Sequence, residues 1–205
     1  AHSLISQEDV PIELYKEFMT DIAEEIEREN KIITDLLSLV KMDKTSANLN
    51  IENRNLNELI ELILKRLRPI AKQRNIDVLY ESAREVFAEI DEVKLTLAIS
   101  NLVENAIKYN NEYGYVKVSL DADHQFATIM VEDNGIGIPQ EAQEHIFERF
   151  YRVDKSHSRE IGGTGLGLAI ARNAILLHRG SIKIDSEEGQ GTVFTVKIPI
   201  IYVSK

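Results

Sequence analysis

Asn101, Asn105 and Lys108 fall at i, i+4 and i+7 of one helical stretch, so they share a face. Leu95, Ile99, Leu102 and Ala106 form the apolar face that packs inward. The polar stripe offers a neutral amide oxygen for a hard cation and a point charge for phosphate. The same residue types also make an ordinary polar helix surface. A second group, Asp133-Asn134-Gly135-Ile136-Gly137-Ile138-Pro139, follows a strand-like run directly. A carboxylate at a strand end is placed to accept from an exocyclic amine. The glycines let backbone approach a ligand and take positive φ. Asp-Asn-Gly is equally the sequence of a plain turn.

The third group, Gly162-Gly163-Thr164-Gly165-Leu166-Gly167-Leu168-Ala169-Ile170, is a glycine-rich loop opening a helix. Bare N–H groups and the positive end of the helix dipole make an anion site there. No Gly-Lys-Ser/Thr follows, so it is not a Walker loop. No strand leads into it, so it is not the dinucleotide fingerprint. Between the last two groups lies Phe147-Glu148-Arg149-Phe150-Tyr151-Arg152-Val153-Asp154, then an aperiodic polar stretch over 155–161. That stretch fits a lid over a nucleotide, with the aromatics anchoring its root. Arg152 is placed either to reach phosphate or to stand in solvent.

These groups need elements to hold them. Apolar residues at Ile12, Tyr15, Met19, Ile22, Ile26, Ile33, Leu36 and Val40 step by 3, 4, 3, 4, 7, 3 and 4, a heptad seam on one long helix over 11–43, with Glu29 as its one charged slot. It reads as one arm of a helical hairpin or dimeric bundle. The polar stretch 44–50 marks a boundary. Beyond it the pattern predicts helices over 56–74, 91–109, 140–148 and 165–179, with Pro69 disturbing the last turns of the first. Strands are expected at 76–80, 85–90, 115–120 and 126–132, and a hairpin pairs 181–186 with 192–198. The expected class is α+β, with helices on one face of a mixed β-sheet.

Composition narrows the function. The 205 residues carry 24 basic and 34 acidic side chains, a formal net charge of −10. That balance argues against a general nucleic-acid binder, so any phosphate is met in a local site. There is no cysteine, which excludes disulfides and Cys-based zinc sites. No run approaches the roughly 18 apolar residues of a membrane-spanning helix.

In this order, the four groups resemble the catalytic domain of sensor histidine kinases, whose ATP-binding fold is shared with gyrase, heat-shock-90 and mismatch-repair ATPases. The resemblance covers roughly residues 50–200. Asn101 to Tyr109 is similar to the N box, Asp133 to Ile138 to the first glycine box, Phe147 to Tyr151 to the F box, and Gly163 to Gly167 to the second glycine box. It implies a Bergerat-type ATP-binding sandwich over 47–205, preceded over 1–46 by part of a dimerisation hairpin. It implies ATP and Mg²⁺ as ligands, with Asn105 on the metal, Lys108 on phosphate, and Tyr109 against the nucleotide. Asp133 would accept the adenine amino group, Gly135, Gly137 and Ile138 would shape that pocket, and Thr192 would help hold Asp133 through water. Gly163, Thr164, Gly165, Leu166, Gly167 and Leu168 would form the hinge and phosphate loop. Catalytic roles fall to Asn101, Glu104, Lys108 and Arg152.

Asn101 stands where hydrolytic relatives carry a Glu base, and an amide takes no proton at pH 7. The site is thus expected to hold ATP and hydrolyse it slowly. Glu104 is the nearest carboxylate, about 100° around the helix from the Asn101–Asn105 face. The family's His-Glu-Leu-Arg-Thr-Pro-like acceptor box is missing, and His2, His124, His145, His157 and His178 match no acceptor context. The chain is therefore expected to start after the acceptor, and to bind nucleotide without phosphorylating itself. Expected partners are a response-regulator receiver domain and a second copy through the N-terminal helix. No nucleic acid is expected, and membrane contact only through segments outside this chain, on the cytoplasmic side. The rivals are a same-fold ATPase clamp and a non-catalytic dimeric scaffold.

Overall fold

The computed structural model describes residues 11–44, 49–153 and 163–203. The elements run α1 (Ile12–Lys44), β1 (Glu52–Asn55), α2 (Leu56–Gln73), β2 (Asp77–Ser82), β3 (Phe87–Ile90), α3 (Glu92–Lys108), β4 (Tyr115–Ala122), β5 (Phe126–Asp133) and α4 (Gln140–Gln143). Then follow α5 (Gly167–Leu177), β6 (Ser181–Glu187) and β7 (Gly191–Pro199). Five strands form a mixed sheet in the order β2-β4-β5-β7-β6, parallel only between β2 and β4. β1 and β3 form a separate antiparallel pair. This is the expected α+β class.

One sheet face carries the core. In β4 and β5 alternate residues are buried, Val116, Val118 and Leu120 against Ala127, Ile129 and Val131. That is the period-2 pattern of a half-buried sheet. α2, α3 and α5 cover this face with Ile60, Leu64, Leu67, Ile99, Leu102 and Ile170, all buried. Truncating one such side chain to Ala costs about 2–5 kcal/mol.

Caps set the helix starts. The Asn55 side chain accepts from the N–H groups of Asn57 and Glu58, and Asp91 accepts from that of Lys94. Burial opposes ionisation of Asp91. Hydrogen bonds from Lys94 and from the Asn50 N–H outweigh it and hold the carboxyl below its ordinary range.

Three expectations need correction, and one element is new. α2 runs through Pro69 to Gln73, because buried Leu67 and Ala71 pin the turns on either side. The helix expected over 140–148 is only α4, and turns take the chain to Phe150 at φ 65°. α5 starts at Gly167 rather than 165, because Gly165 sits at φ +69° before the first turn. β1 was not foreseen, since Glu-Asn-Arg-Asn has no apolar alternation.

His178 closes α5 onto α3. Its Nε2 accepts from the Asp91 N–H at 2.9 Å, so Nδ1 carries the proton and donates to the Ala174 carbonyl at 2.7 Å. The ring is 1% exposed, and burial holds its pKa below the ordinary histidine value. The unfolded chain therefore takes up a proton near pH 6.5 that the folded ring resists. His178→Gln is expected to lower stability by about 1–3 kcal/mol at pH 8. In denaturant titrations the gap to wild type should shrink as pH falls below about 6.5. A gap that stays constant from pH 8 to 5 contradicts a neutral buried ring.

Candidate active site

α3 presents the stripe as its spacing requires. Asn101, Asn105 and Lys108 are each part-exposed, while Ile99, Leu102 and Ala106 are buried. The Asn101 amide donates back to the Leu97 carbonyl at 2.9 Å. Its Oδ1 lies against Gly167, so closely that a Cβ there would meet it at 2.7 Å. Asn101 thus joins α3 to the start of α5. The Asn105 amide makes no hydrogen bond to protein among the described residues, which leaves its oxygen available as a hard-cation ligand. Mg²⁺ is commonly held by one or two protein oxygens together with phosphates, and Asn105 fits that donor set.

Lys108 lies at the end of α3. Its ammonium stands 5.1 Å from the centre of the Tyr109 ring and beside Gly163, where any Cβ would strike it. The phosphate-loop backbone and the lysine therefore share one corner. Burial, then the charges of Arg152, Lys31 and Arg74, push the Lys108 pKa down to about 8, and Glu104 opposes them. Such a depressed ammonium marks a site that wants an anion. Burial raises Tyr109, and Arg152 again acts in the opposite sense. Arg152 is therefore close to both. Glu104 turns toward α1, where its carboxylate meets Lys31 at 3.4 Å.

Asp133 ends β5 and is 8% exposed. Its carboxylate accepts from the Gly135 N–H at 2.9 Å and from the Thr192 backbone N–H. Burial nevertheless pushes its pKa up to about 6. Thr192 pairs with Asp133 across β5 and β7, and so meets it directly through backbone. The Thr192 hydroxyl lies 2.9 Å from that of Ser186, which also accepts from the Ile138 N–H.

The glycines of this segment are wanted by neighbouring backbone. A Cβ on Gly135 would strike the Tyr109 carbonyl, and one on Gly137 the Glu187 carbonyl. Gly135 thus locks the 133–138 segment to the end of α3, and Gly137 locks it to the β6–β7 turn. In the loop, the Gly165 carbonyl accepts from the Phe150 N–H at 2.9 Å, and Thr164 Oγ1 accepts from the Leu166 N–H at 3.2 Å. Phe147 packs against Phe194 in the core, and anchors the segment leading to Arg152. The expected lid at 155–161 and Gly162 lie outside the described residues.

The structure thus brings together Asn101, Asn105, Lys108, Tyr109, Arg152, Gly163, Thr164 and Gly167. Asp133, Gly135, Gly137, Ile138 and Thr192 lie together in the adjoining segment, joined to the end of α3 by the Ile136 N–H to Tyr109 carbonyl hydrogen bond. Sequence reasoning missed Arg74, whose guanidinium donates to the Ile107 and Lys108 carbonyls at 3.3 and 2.7 Å and fixes the end of α3. It also missed Ser186, Lys31 and Asp35. A basic residue just past a helix end is a recognisable capping signal for its own helix, but Arg74 caps a different one.

Gly137→Ala combines φ +68° with a backbone collision, so it should lower stability by about 2 kcal/mol or more. Chemical denaturation measures this. A loss under about 0.5 kcal/mol would show that the β6–β7 turn does not fix Gly137.

Comparison with known proteins places the family and the fold. The family described as "Histidine kinase-, DNA gyrase B-, and HSP90-like ATPase" matches residues 90–201. Sensor histidine kinase RppB of Synechocystis sp. is 41% identical over 86% of this chain, and sensor histidine kinase WalK of Bacillus subtilis is 38% identical over 89%. The chain spans 39% and 30% of the lengths of these two relatives. A crystal structure of histidine kinase ThkA in complex with the response regulator TrrA matches 94% of this chain and 53% of ThkA, at TM-score 0.73 and 28% identity. The chain belongs to this ATPase family through residues 90–201, and the relatives it matches are sensor histidine kinases.

Proposed function

We propose that the chain binds Mg-ATP between α3, the 133–138 segment and the 163–167 loop, and directs its γ-phosphoryl to a histidine. The buried, doubly hydrogen-bonded Asp133 carries this reading, because a carboxylate fixed in that setting can accept from an exocyclic amine such as the 6-amino group of adenine. The phosphates then point along α3 to Lys108, Arg152 and the loop N–H groups, where positioning and charge neutralisation supply the catalysis. Asn105 would hold the Mg²⁺, which neutralises developing charge on the phosphates when bound.

In the transfer step a histidine ring nitrogen forms the P–N bond as the bond from phosphorus to the β–γ bridging oxygen breaks. ADP leaves, and the ring proton passes to Glu104 or to water. Asn101 takes no proton, which protects the phosphoryl group from water. The phosphoryl group then goes to a response-regulator aspartate, a partner class supported by the ThkA complex.

We assign residues 1–46 to a dimerisation region and 47–205 to the catalytic domain. The exposed apolar stripe Ile12, Tyr15, Met19, Ile26, Ile33 and Leu36 supports pairing of α1 with further helices. The acceptor histidine belongs among those helices, since none of the five histidines of this chain stands in an acceptor-box sequence. Among the described residues no helix is long and apolar enough to cross a membrane. Dependence on ATP and a receiver domain favours work in the cytoplasm.

Calorimetry with Mg-ATP tests the site. Wild type should bind, Asp133→Ala should weaken binding at least a hundredfold, and Asn105→Ala should remove the Mg²⁺ dependence. Folded wild type with no affinity for ATP overturns the reading. The pH profile is a second test. Protonation of Asp133 below about pH 6 removes the adenine acceptor, and loss of the Lys108 proton above about pH 8 removes a phosphate charge. Affinity should therefore be bell-shaped between these limits, and Lys108→Met should abolish the alkaline limb.

A further inference from the structure

α1 carries a second stripe, opposite in character to its apolar one. Arg28, Ile32, Asp35 and Ser38 are part-buried and Leu39 is 2% exposed, packed into the domain core. Steps of 4, 3, 3 and 1 put these on one side of the helix. Two polar contacts join that side to the domain. Lys31 pairs with Glu104, and the Thr164 hydroxyl donates to Asp35 Oδ2 at 2.8 Å. Both contacts engage groups that belong to the nucleotide site.

The Thr164 contact is the informative one. A hydroxyl has one proton, and here it goes to the Asp35 carboxylate. The same oxygen accepts the Leu166 N–H just before α5. Asp35 therefore seats a negative charge at the phosphate loop and the positive end of α5, where an anion is best stabilised. A triphosphate in that corner must share it with the carboxylate or displace it. Removing Asp35 frees the Thr164 hydroxyl to turn to phosphate. Among the described residues, α1 is held to the domain by a half-exposed ion pair, the Asp35–Thr164 hydrogen bond, the buried Leu39 and the part-buried Arg28, Ile32 and Ser38.

We propose that Asp35 is an internal competitor for the phosphate loop, so that seating of α1 on the domain and binding of ATP phosphates oppose each other. This rests on the nucleotide-site reading above. Linkage makes the effect reciprocal: whatever factor α1 takes from ATP affinity, bound ATP takes from the seating of α1. Nucleotide loading would then loosen the long helix from the domain that must act on a histidine beside it.

The test uses the full chain. Asp35→Asn keeps an acceptor for Thr164 but removes the charge, and should tighten Mg-ATP binding by about tenfold. Asp21→Asn, on the exposed part of the same helix, should change it less than twofold. The chain has no cysteine, so labels at Glu27→Cys and Leu176→Cys report the α1–α5 separation by electron-spin resonance. Adding Mg-ATP should lengthen and broaden that separation. Unchanged affinity in Asp35→Asn, or an unchanged separation on saturation with ATP, overturns the proposal while leaving the nucleotide site standing. Absence of ATP binding in wild type and Asp35→Asn alike overturns the nucleotide site, and the proposal with it.

Discussion

The burial of one face of α3 sets the geometry of everything else. Leu95, Ile99, Leu102 and Ala106 must be covered by the sheet, α2 and α5, so the helix cannot rotate without exposing them. Holding that face inward holds Asn101, Asn105 and Lys108 outward as a fixed row. The lateral packing is as restrictive. Asn101 lies against Gly167, and Arg74 caps the last turn at Ile107 and Lys108. The proposed cation, phosphate and adenine positions are thus referred to one rigid rod.

The 133–138 segment is fixed to the same rod by backbone. Gly135 abuts the Tyr109 carbonyl, while Gly137 abuts the β6–β7 turn that also brings Thr192 to Asp133. A change in that hairpin would therefore be felt at the carboxylate without any contact to nucleotide. The site's electrostatics follow from the same burial. One carboxylate is pushed up to about 6 and one ammonium down to about 8, each by loss of water. Their charged forms are what an adenine amine and a phosphate would restore.

Much of this was legible in the sequence. Spacing placed the α3 stripe, and the alternation in β4 and β5 placed Asp133 at a strand end. What was not legible depends on contacts between distant segments. The glycines at 135 and 137 read as room for a ligand, and the Tyr109 and Glu187 carbonyls that a side chain there would strike come from segments far along the chain. Leu39 lies off the heptad seam of α1, so its burial in the domain core gave no periodic signal. Asp35 and Thr164 are polar residues far apart in the chain, and nothing in either neighbourhood predicts their hydrogen bond. Pro69 misled because a proline's local penalty was weighed without the buried residues on either side of it.

The proposed nucleotide site runs from Asp133 along α3 to Lys108. The most direct measurement is a crystal structure with Mg²⁺ and a non-hydrolysable ATP analogue. The account predicts the adenine amino group within hydrogen-bond distance of Asp133, the metal on Asn105, and the phosphates between Lys108 and the Gly163–Gly167 loop. Adenine bound away from Asp133, or phosphates held away from Lys108, contradicts it.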